Sequence, residues 1–243
     1  MKAIQEKTVI ITGASSGIGE ATARELARGG ANVIIGARRL GKLEALASSL
    51  QAEGASVAVH QLDVTELSQM QAVVKFAIDR YGRVDAIVNN AGIMPLSPLA
   101  SLKIEEWDRM IDVNIRGVLH GIAAGLPVMK EQGFGQFVNV ASIGAYEVSP
   151  TAAVYCATKY AVRAITDGLR QEVAGQGIRV TLVSPGVTES ELAETITDHE
   201  ARELMQEYRR IALPASAIAR AITYAIEQPA GVDVNELVIR PTV

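Results

Sequence analysis

Tyr155 and Lys159 stand four residues apart in a stretch patterned as a helix, Ala152–Ala174, so both project from one face about a turn apart. A free phenol ionises near pH ~10, too high for proton exchange at neutrality. Useful acid–base work asks for a downward shift of about 3 units, worth about 4 kcal/mol. One ammonium at about 5 Å in an effective dielectric of about 20 supplies roughly 3 kcal/mol, so Lys159 is expected to make Tyr155 more acidic. A Tyr-x-x-x-Lys pair is common on protein surfaces, and two further residues give it weight. Ser142 directly follows an apolar strand candidate, Gln136–Ala141, and open α/β sheets bind ligands at the carboxyl ends of their strands. There its hydroxyl can hold a carbonyl oxygen or alkoxide beside the phenol. Asn114 lies mid-helix, four residues from both Met110 and Val118, so a polar amide interrupts an apolar stripe and needs hydrogen-bond partners. Taken by itself, that position suits a helix kink satisfied by water.

A second constellation sits near the amino terminus. An apolar run, Thr8–Thr12, leads into Gly13-Ala14-Ser15-Ser16-Gly17-Ile18-Gly19 and then a helical pattern, Ile18–Arg28. Gly13 permits a tight turn, Gly17 a close approach of backbone to a pyrophosphate, and Gly19 close packing of helix on strand. The amides of the helix's first turn then face negative charge. A nucleoside-triphosphatase loop would carry Lys after its last glycine, and this chain has Glu20. At the end of the second strand, where a carboxylate would bind the ribose hydroxyls of NAD, stand Arg38 and Arg39. Two guanidiniums there favour the 2′-phosphate of NADP(H).

These residues need a scaffold that brings strand ends together. Seven apolar runs qualify as strands: Thr8–Thr12, Asn32–Gly36, Val57–Gln61, Ala86–Asn89, Gln136–Ala141, Arg179–Val183 and Glu236–Arg240. Their near-continuous hydrophobicity reads as strands covered on both faces. Helical patterns alternate with them at Ile18–Arg28, Lys42–Gln51, Leu67–Tyr81, Ile104–Lys130, Ala152–Ala174 and Ser216–Glu227. The expected fold is α/β: a Rossmann-like, doubly wound parallel sheet of seven strands with helices on both faces, in a single domain. A charged, amphipathic excursion at about 187–213 follows the sixth strand and is expected to form a substrate lid.

Composition narrows the classes. The 243 residues are 49% hydrophobic and 21% charged, a globular profile. A net charge of −4 speaks against nucleic-acid binding. The single cysteine, Cys156, fits a reducing compartment and reads as a packing residue. No apolar run approaches a membrane span, and Met1–Lys7 lacks the apolar stretch of a signal peptide, so a cytoplasmic location is expected. His60, His120 and His199 are scattered, so no metal site is expected. Arg202, Arg209 and Arg210 alternate with glutamates as a solvated helix face.

Taken in order, these motifs resemble the short-chain dehydrogenase/reductase family, in its branch of roughly 250-residue single-domain enzymes. The resemblance rests on Thr12–Gly19, on Asp63-Val64, on Asn89-Asn90-Ala91-Gly92, on Asn114, on Ser142 with Tyr155 and Lys159, and on Pro185-Gly186-Val187-Thr188. It implies that Tyr155 exchanges the proton, that Lys159 lowers its pKa and holds the nicotinamide ribose, and that Ser142 orients the substrate oxygen. It implies that Asn114 helps hold a water linking Lys159 to solvent. It also assigns Asp63 and Val64 to the adenine and residues 185–188 to the nicotinamide, and it implies a homotetramer. Gly117, Gly121 and Gly125, at i+4 spacing, permit close helix packing in such an assembly, as the apolar last strand does, and both suit internal packing equally well. Residues flanking the expected chemistry, among them Met94, Ile143, Val148, Leu192, Met205 and Tyr208, are largely apolar. The expected reaction is hydride transfer between the nicotinamide and a ketone, aldehyde or secondary alcohol, with a 3-hydroxy acid also compatible. A non-catalytic NADP(H) sensor is the competing reading, against which the intact proton-transfer set argues.

Overall fold

Alternate residues of each central strand feed two separate cores, which is why the strands read as continuous apolar runs. A computed structural model describes residues 4–242; the start of the Met1–Lys7 segment lies outside the described residues. The strands are β1 (Thr8–Thr12), β2 (Asn32–Ala37), β3 (Val57–Gln61), β4 (Ala86–Asn89), β5 (Gly135–Val140), β6 (Ile178–Pro185) and β7 (Glu236–Ile239). All pair in parallel, in the order β3-β2-β1-β4-β5-β6-β7. The helices are α1 (Gly17–Arg28), α2 (Leu40–Ala52), α3 (Leu67–Tyr81), α4 (Ile104–Met110), α5 (Gly117–Gln132), α6 (Ala153–Glu172), α7 (His199–Tyr208) and α8 (Ala215–Glu227). Val9 and Ile11 of β1 pack with α1, α2 and α8, through residues such as Leu26, Leu46 and Ile222. Ile10, between them, joins Ile87 and Phe137 under α3, α5 and α6. This is a Rossmann-like single α/β domain, and strand order reverses between β1 and β4, where such sheets open a crevice at their carboxyl ends.

One expectation changes here, and one open alternative is resolved. The pattern Ile104–Lys130 is not one uniform helix, because Ile111–Arg116 forms a π-helical turn between α4 and α5. Such turns are rare and cluster at functional sites, and this one carries Asn114. The glycine stripe of α5 takes the internal one of the two uses its spacing allowed. A Cβ on Gly117 would lie 2.8 Å from Val64 Cγ2, and one on Gly125 3.1 Å from Phe137 Cε1, so these glycines let α5 lie against its own sheet. A Cβ on Gly121 would overlap the side chain of Asn89. That amide donates to Asn139 Oδ1 at 2.8 Å, and Asn139 donates in turn to Thr166 Oγ1 at 2.9 Å. The stripe is internal packing.

Gly121→Ala is therefore expected to lower stability by about 2–4 kcal/mol, through overpacking and a broken buried hydrogen bond. Chemical denaturation checks it; an unchanged midpoint would show that α5 can lift off the sheet at no cost.

Candidate active site

Thr12 staples the two loops that flank the crevice. Its Oγ1 accepts from the backbone amides of Asn90 at 3.0 Å and Ala91 at 3.1 Å. Asn90 Nδ2 returns a bond to Thr12 O at 2.9 Å. Gly13 has φ +66°, and a Cβ there would stand 2.7 Å from Ala91 Cα; a Cβ on Gly19 would stand 2.6 Å from Asn90 Nδ2. Only glycine lets the turn after β1, the start of α1 and the loop after β4 converge this closely. The N-cap of α1, Ser16, makes no side-chain cap hydrogen bond. The first-turn amides of that helix are thus left to whatever occupies the cavity beside them.

That cavity measures about 850 Å³ and is shared by nearly every expected site residue. Gly13, Ser15, Ser16, Gly17 and Ile18 line it with Arg38, Arg39, Asp63 and Val64. So do Asn90, Ala91, Gly92, Ser142, Tyr155, Lys159 and the run Pro185-Gly186-Val187-Thr188. Met94, Ile143, Leu192, Met205 and Tyr208 complete the wall. Val148 does not belong: it is 64% exposed and absent from the lining. After the short helical turn Ile143–Ala145, Tyr146 is bound to Ser184 Oγ and the Glu236 carboxylate; beyond it Glu147, Ser149, Pro150 and Thr151 still line the cavity, and Val148 alone among them turns to the surface. The excursion after β6 is built from a short turn at Glu191–Thr195 and α7, and it contributes Leu192, Met205 and Tyr208 to the wall.

Ser142 caps the Ile143–Ala145 turn, its Oγ accepting from Gly144 N at 3.0 Å, and its hydroxyl stands near enough to the Tyr155 hydroxyl to favour the phenolate. Tyr155 and Lys159 are 8% and 5% exposed. Lys159 Nζ lies 5.7 Å from the Tyr155 ring centroid and donates to Val140 O at 3.0 Å. The pair thus shares one wall, but the electrostatics reverse the sequence expectation. Burial pushes the Tyr155 phenol up to about 12, against the opposing pull of the Ser142 hydroxyl. Burial also drives Lys159 down to about 8. Removing a phenolate from water is the dominant effect here, and the Ser142 hydroxyl offsets only part of it.

Asn114 is 1% exposed and its amide finds three hydrogen-bond partners within the protein. Oδ1 accepts from Ile93 N at 2.9 Å, and Nδ2 donates to Ile93 O at 3.0 Å and Thr158 Oγ1 at 3.1 Å. The side chain therefore ties the loop after β4 to α6 one residue before Lys159. The arginines of the excursion are likewise not simply solvated. Arg202 donates to Ile196 O at 2.6 Å and Arg209 to Ser190 O at 2.8 Å, while Arg210 pairs with Glu207 at 3.0 Å. Sequence reasoning missed Glu191, whose carboxylate meets Arg39; nothing in local spacing links residues 152 apart.

A parallel sheet with a glycine-lined crevice and a buried Ser–Tyr–Lys wall defines an oxidoreductase fold built around a dinucleotide. The short chain dehydrogenase model matches residues 7–201. An uncharacterized oxidoreductase of Staphylococcus saprophyticus is 47% identical over 244 residues, covering 100% of this chain and 98% of its own. An alcohol dehydrogenase of Thermococcus sibiricus, solved with 5-hydroxy-NADP, superposes with a TM-score of 0.87 at 32% identity, covering 98% of this chain and 97% of its own. A short-chain dehydrogenase/reductase of Burkholderia phymatum, solved with NAD, gives 0.89 at 26% identity, covering 98% and 90%. The chain belongs to the short-chain dehydrogenase family. It is an oxidoreductase whose solved neighbours bind a nicotinamide dinucleotide.

Proposed function

We propose that the protein is an NADP(H)-dependent carbonyl reductase that acts on uncharged ketones or aldehydes and, in reverse, on secondary alcohols. The observation carrying this reading is the convergence of Ser142, Tyr155 and Lys159 on a cavity that also holds Arg39 beside Ser15. The glycine turn fits a pyrophosphate, because Cβ atoms at Gly13 and Gly19 would collide with the facing loop and the first-turn amides of α1 are uncapped. Residues 13–19, Asp63, Val64, 90–92 and 185–188 would hold the dinucleotide, which supplies or accepts the hydride.

The chain's own residues handle the proton. A phenol held at about 12 is protonated throughout the neutral range, so Tyr155 is poised as a general acid toward a carbonyl oxygen. Ser142 orients that oxygen, and the Lys159 ammonium stabilises negative charge as the phenol gives up its proton. This arrangement supports reduction as the favoured direction.

Charge placement supports an uncharged substrate. Among the described residues, the cations lining the cavity are Arg38, Arg39, Lys159 and Arg209. Lys159 is bound to Val140 O and Arg209 to Ser190 O. Arg38 and Arg39 follow β2, three strands from β5 and Ser142. The ammonium nearest Ser142 is that of Lys159, which the proton step uses, so a substrate carboxylate there would compete with the phenolate for it, which favours simple carbonyls over 3-oxo acids. NADPH oxidation against a panel of ketones, aldehydes and 3-oxo acids tests this. Cofactor binding without turnover on any of them would favour the sensor instead.

Arg39 supports NADP(H) over NAD(H): its Nε and Nη2 donate to Ser15 Oγ at 3.2 and 2.9 Å, which fixes a guanidinium beside the glycine turn. Arg39→Ala is expected to weaken NADP+ binding by about 10- to 100-fold, the worth of a charge-assisted hydrogen bond or two, and to leave NAD+ nearly unaffected. Titration calorimetry reads both, with Arg38→Ala in parallel; equal loss for the two cofactors would remove the assignment. A cytoplasmic homotetramer completes the reading, supported by the exposure of Glu236 and Val238 on the edge strand β7. Solution scattering of a monomer would overturn it.

A further inference from the structure

The carboxylate of Glu191 occupies cationic groups that a phosphate would also seek. Glu191 opens the turn Glu191–Thr195 in the excursion after β6, and Ser190 caps that turn by accepting from Leu192 N. Its Oε2 accepts from Arg39 Nη1 at 2.6 Å and its Oε1 from Lys42 Nζ at 2.5 Å. The opposite edge of the same guanidinium donates to Ser15, and Nη2 also reaches Ser16 Oγ at 3.0 Å. Arg39 is thus a bridge between the glycine turn and the excursion. The two cations hold Glu191 down at about 2, so it stays ionised at any working pH. The contact also places the strap over the turn, since a Cβ on Gly17 would lie 3.0 Å from Ser190 Cβ.

A carboxylate and a phosphate monoester make the same demand on a guanidinium and an ammonium. Arg39 Nη1 and Lys42 cannot serve both fully, and the two anions repel when crowded together. A ribose carrying only hydroxyls raises no such conflict.

We propose that Glu191 is a specificity-determining residue that competes with the 2′-phosphate of NADP for Arg39 and Lys42, and that its displacement unlatches the Glu189–Thr195 strap from the glycine turn. The proposal rests on the NADP(H) reading above. Glu191 narrows the preference for NADP over NAD that Arg39 creates. It also makes the strap responsive to which dinucleotide binds.

Titration calorimetry of NADP+ and NAD+ on wild type and Glu191→Gln tests the competition. The substitution should tighten NADP+ by roughly three- to tenfold, the scale of exposed ion pairs, and move NAD+ by less than about twofold. An NADP+/NAD+ affinity ratio that is unchanged, or that falls because Glu191 in fact holds Arg39 ready for phosphate, overturns the proposal. The wild-type ratio judges the cofactor reading separately: a preference for NAD+ would refute that reading, while the change in ratio on substitution still decides the role of Glu191. Amide hydrogen exchange tests the unlatching without turnover. Adenosine 2′,5′-bisphosphate, but not AMP, should speed exchange across Glu189–Thr195 in wild type and leave Glu191→Gln unchanged. Equal exchange with both nucleotides in wild type overturns the unlatching.

Discussion

Tyr155→Phe is expected to lower kcat for carbonyl reduction by about 10³-fold, within the usual worth of a positioned general acid, while NADPH still binds. The substitution removes one buried hydroxyl near Ser142 and leaves the ring in its cluster with Ile93, Leu96 and Met110. The fold should therefore survive, which makes the kinetic loss interpretable. Stopped-flow or steady-state NADPH oxidation, alongside calorimetric cofactor binding, separates the two effects. A variant retaining full turnover would mean that the proton comes from water or another residue. Loss of cofactor binding together with activity would move Tyr155 from chemistry to architecture.

Lys159→Met should cost about 10²–10³-fold in kcat, because the charge facing the departing proton disappears from a site where water cannot replace it. The same lysine should set the alkaline limit of the wild-type enzyme. With its pKa driven down to about 8, Lys159 is an ammonium below that pH and neutral above it. Tyr155, at about 12, remains a phenol over the whole interval. Reduction should therefore decline as pH rises through about 8, and the Met variant should lose that inflection. Stability should move the opposite way. Between about 8 and the ordinary lysine value of 10.5 the unfolded chain holds a proton that the native state has shed, so stability rises with pH across that window, by up to ~3 kcal/mol. Lys159→Met should flatten this rise in denaturation experiments run from pH 7 to 10. A pH–rate profile identical in wild type and variant would detach the lysine from the proton step.

Much of this molecule was legible before any coordinates. The strand candidates lie within two residues of the observed strand ends, because two-sided burial writes continuous apolar runs into the sequence. The glycine turn was readable because its demands are local: positive φ at Gly13 and Gly17, and a missing Cβ at Gly19. Tyr155 and Lys159 were placed on one face by helical periodicity alone.

What tertiary structure alone decided are quantities set by neighbours distant along the chain. Periodicity brought Lys159 beside Tyr155, but the sign of the phenol's shift depends on how much water the surrounding core excludes, and burial sets it. The α5 glycines suited a partner subunit and internal packing alike until the sheet beneath supplied Asn89 and Phe137. Val148 looked like a pocket residue, but its neighbours Glu147 and Ser149 face the cavity while its own side chain turns to the surface. Arg39 read as a free phosphate receptor until Glu191 arrived from across the fold. Local geometry follows from short-range sterics that a few residues encode. Desolvation and competition for a charge depend on which groups the whole chain packs into the same few ångströms.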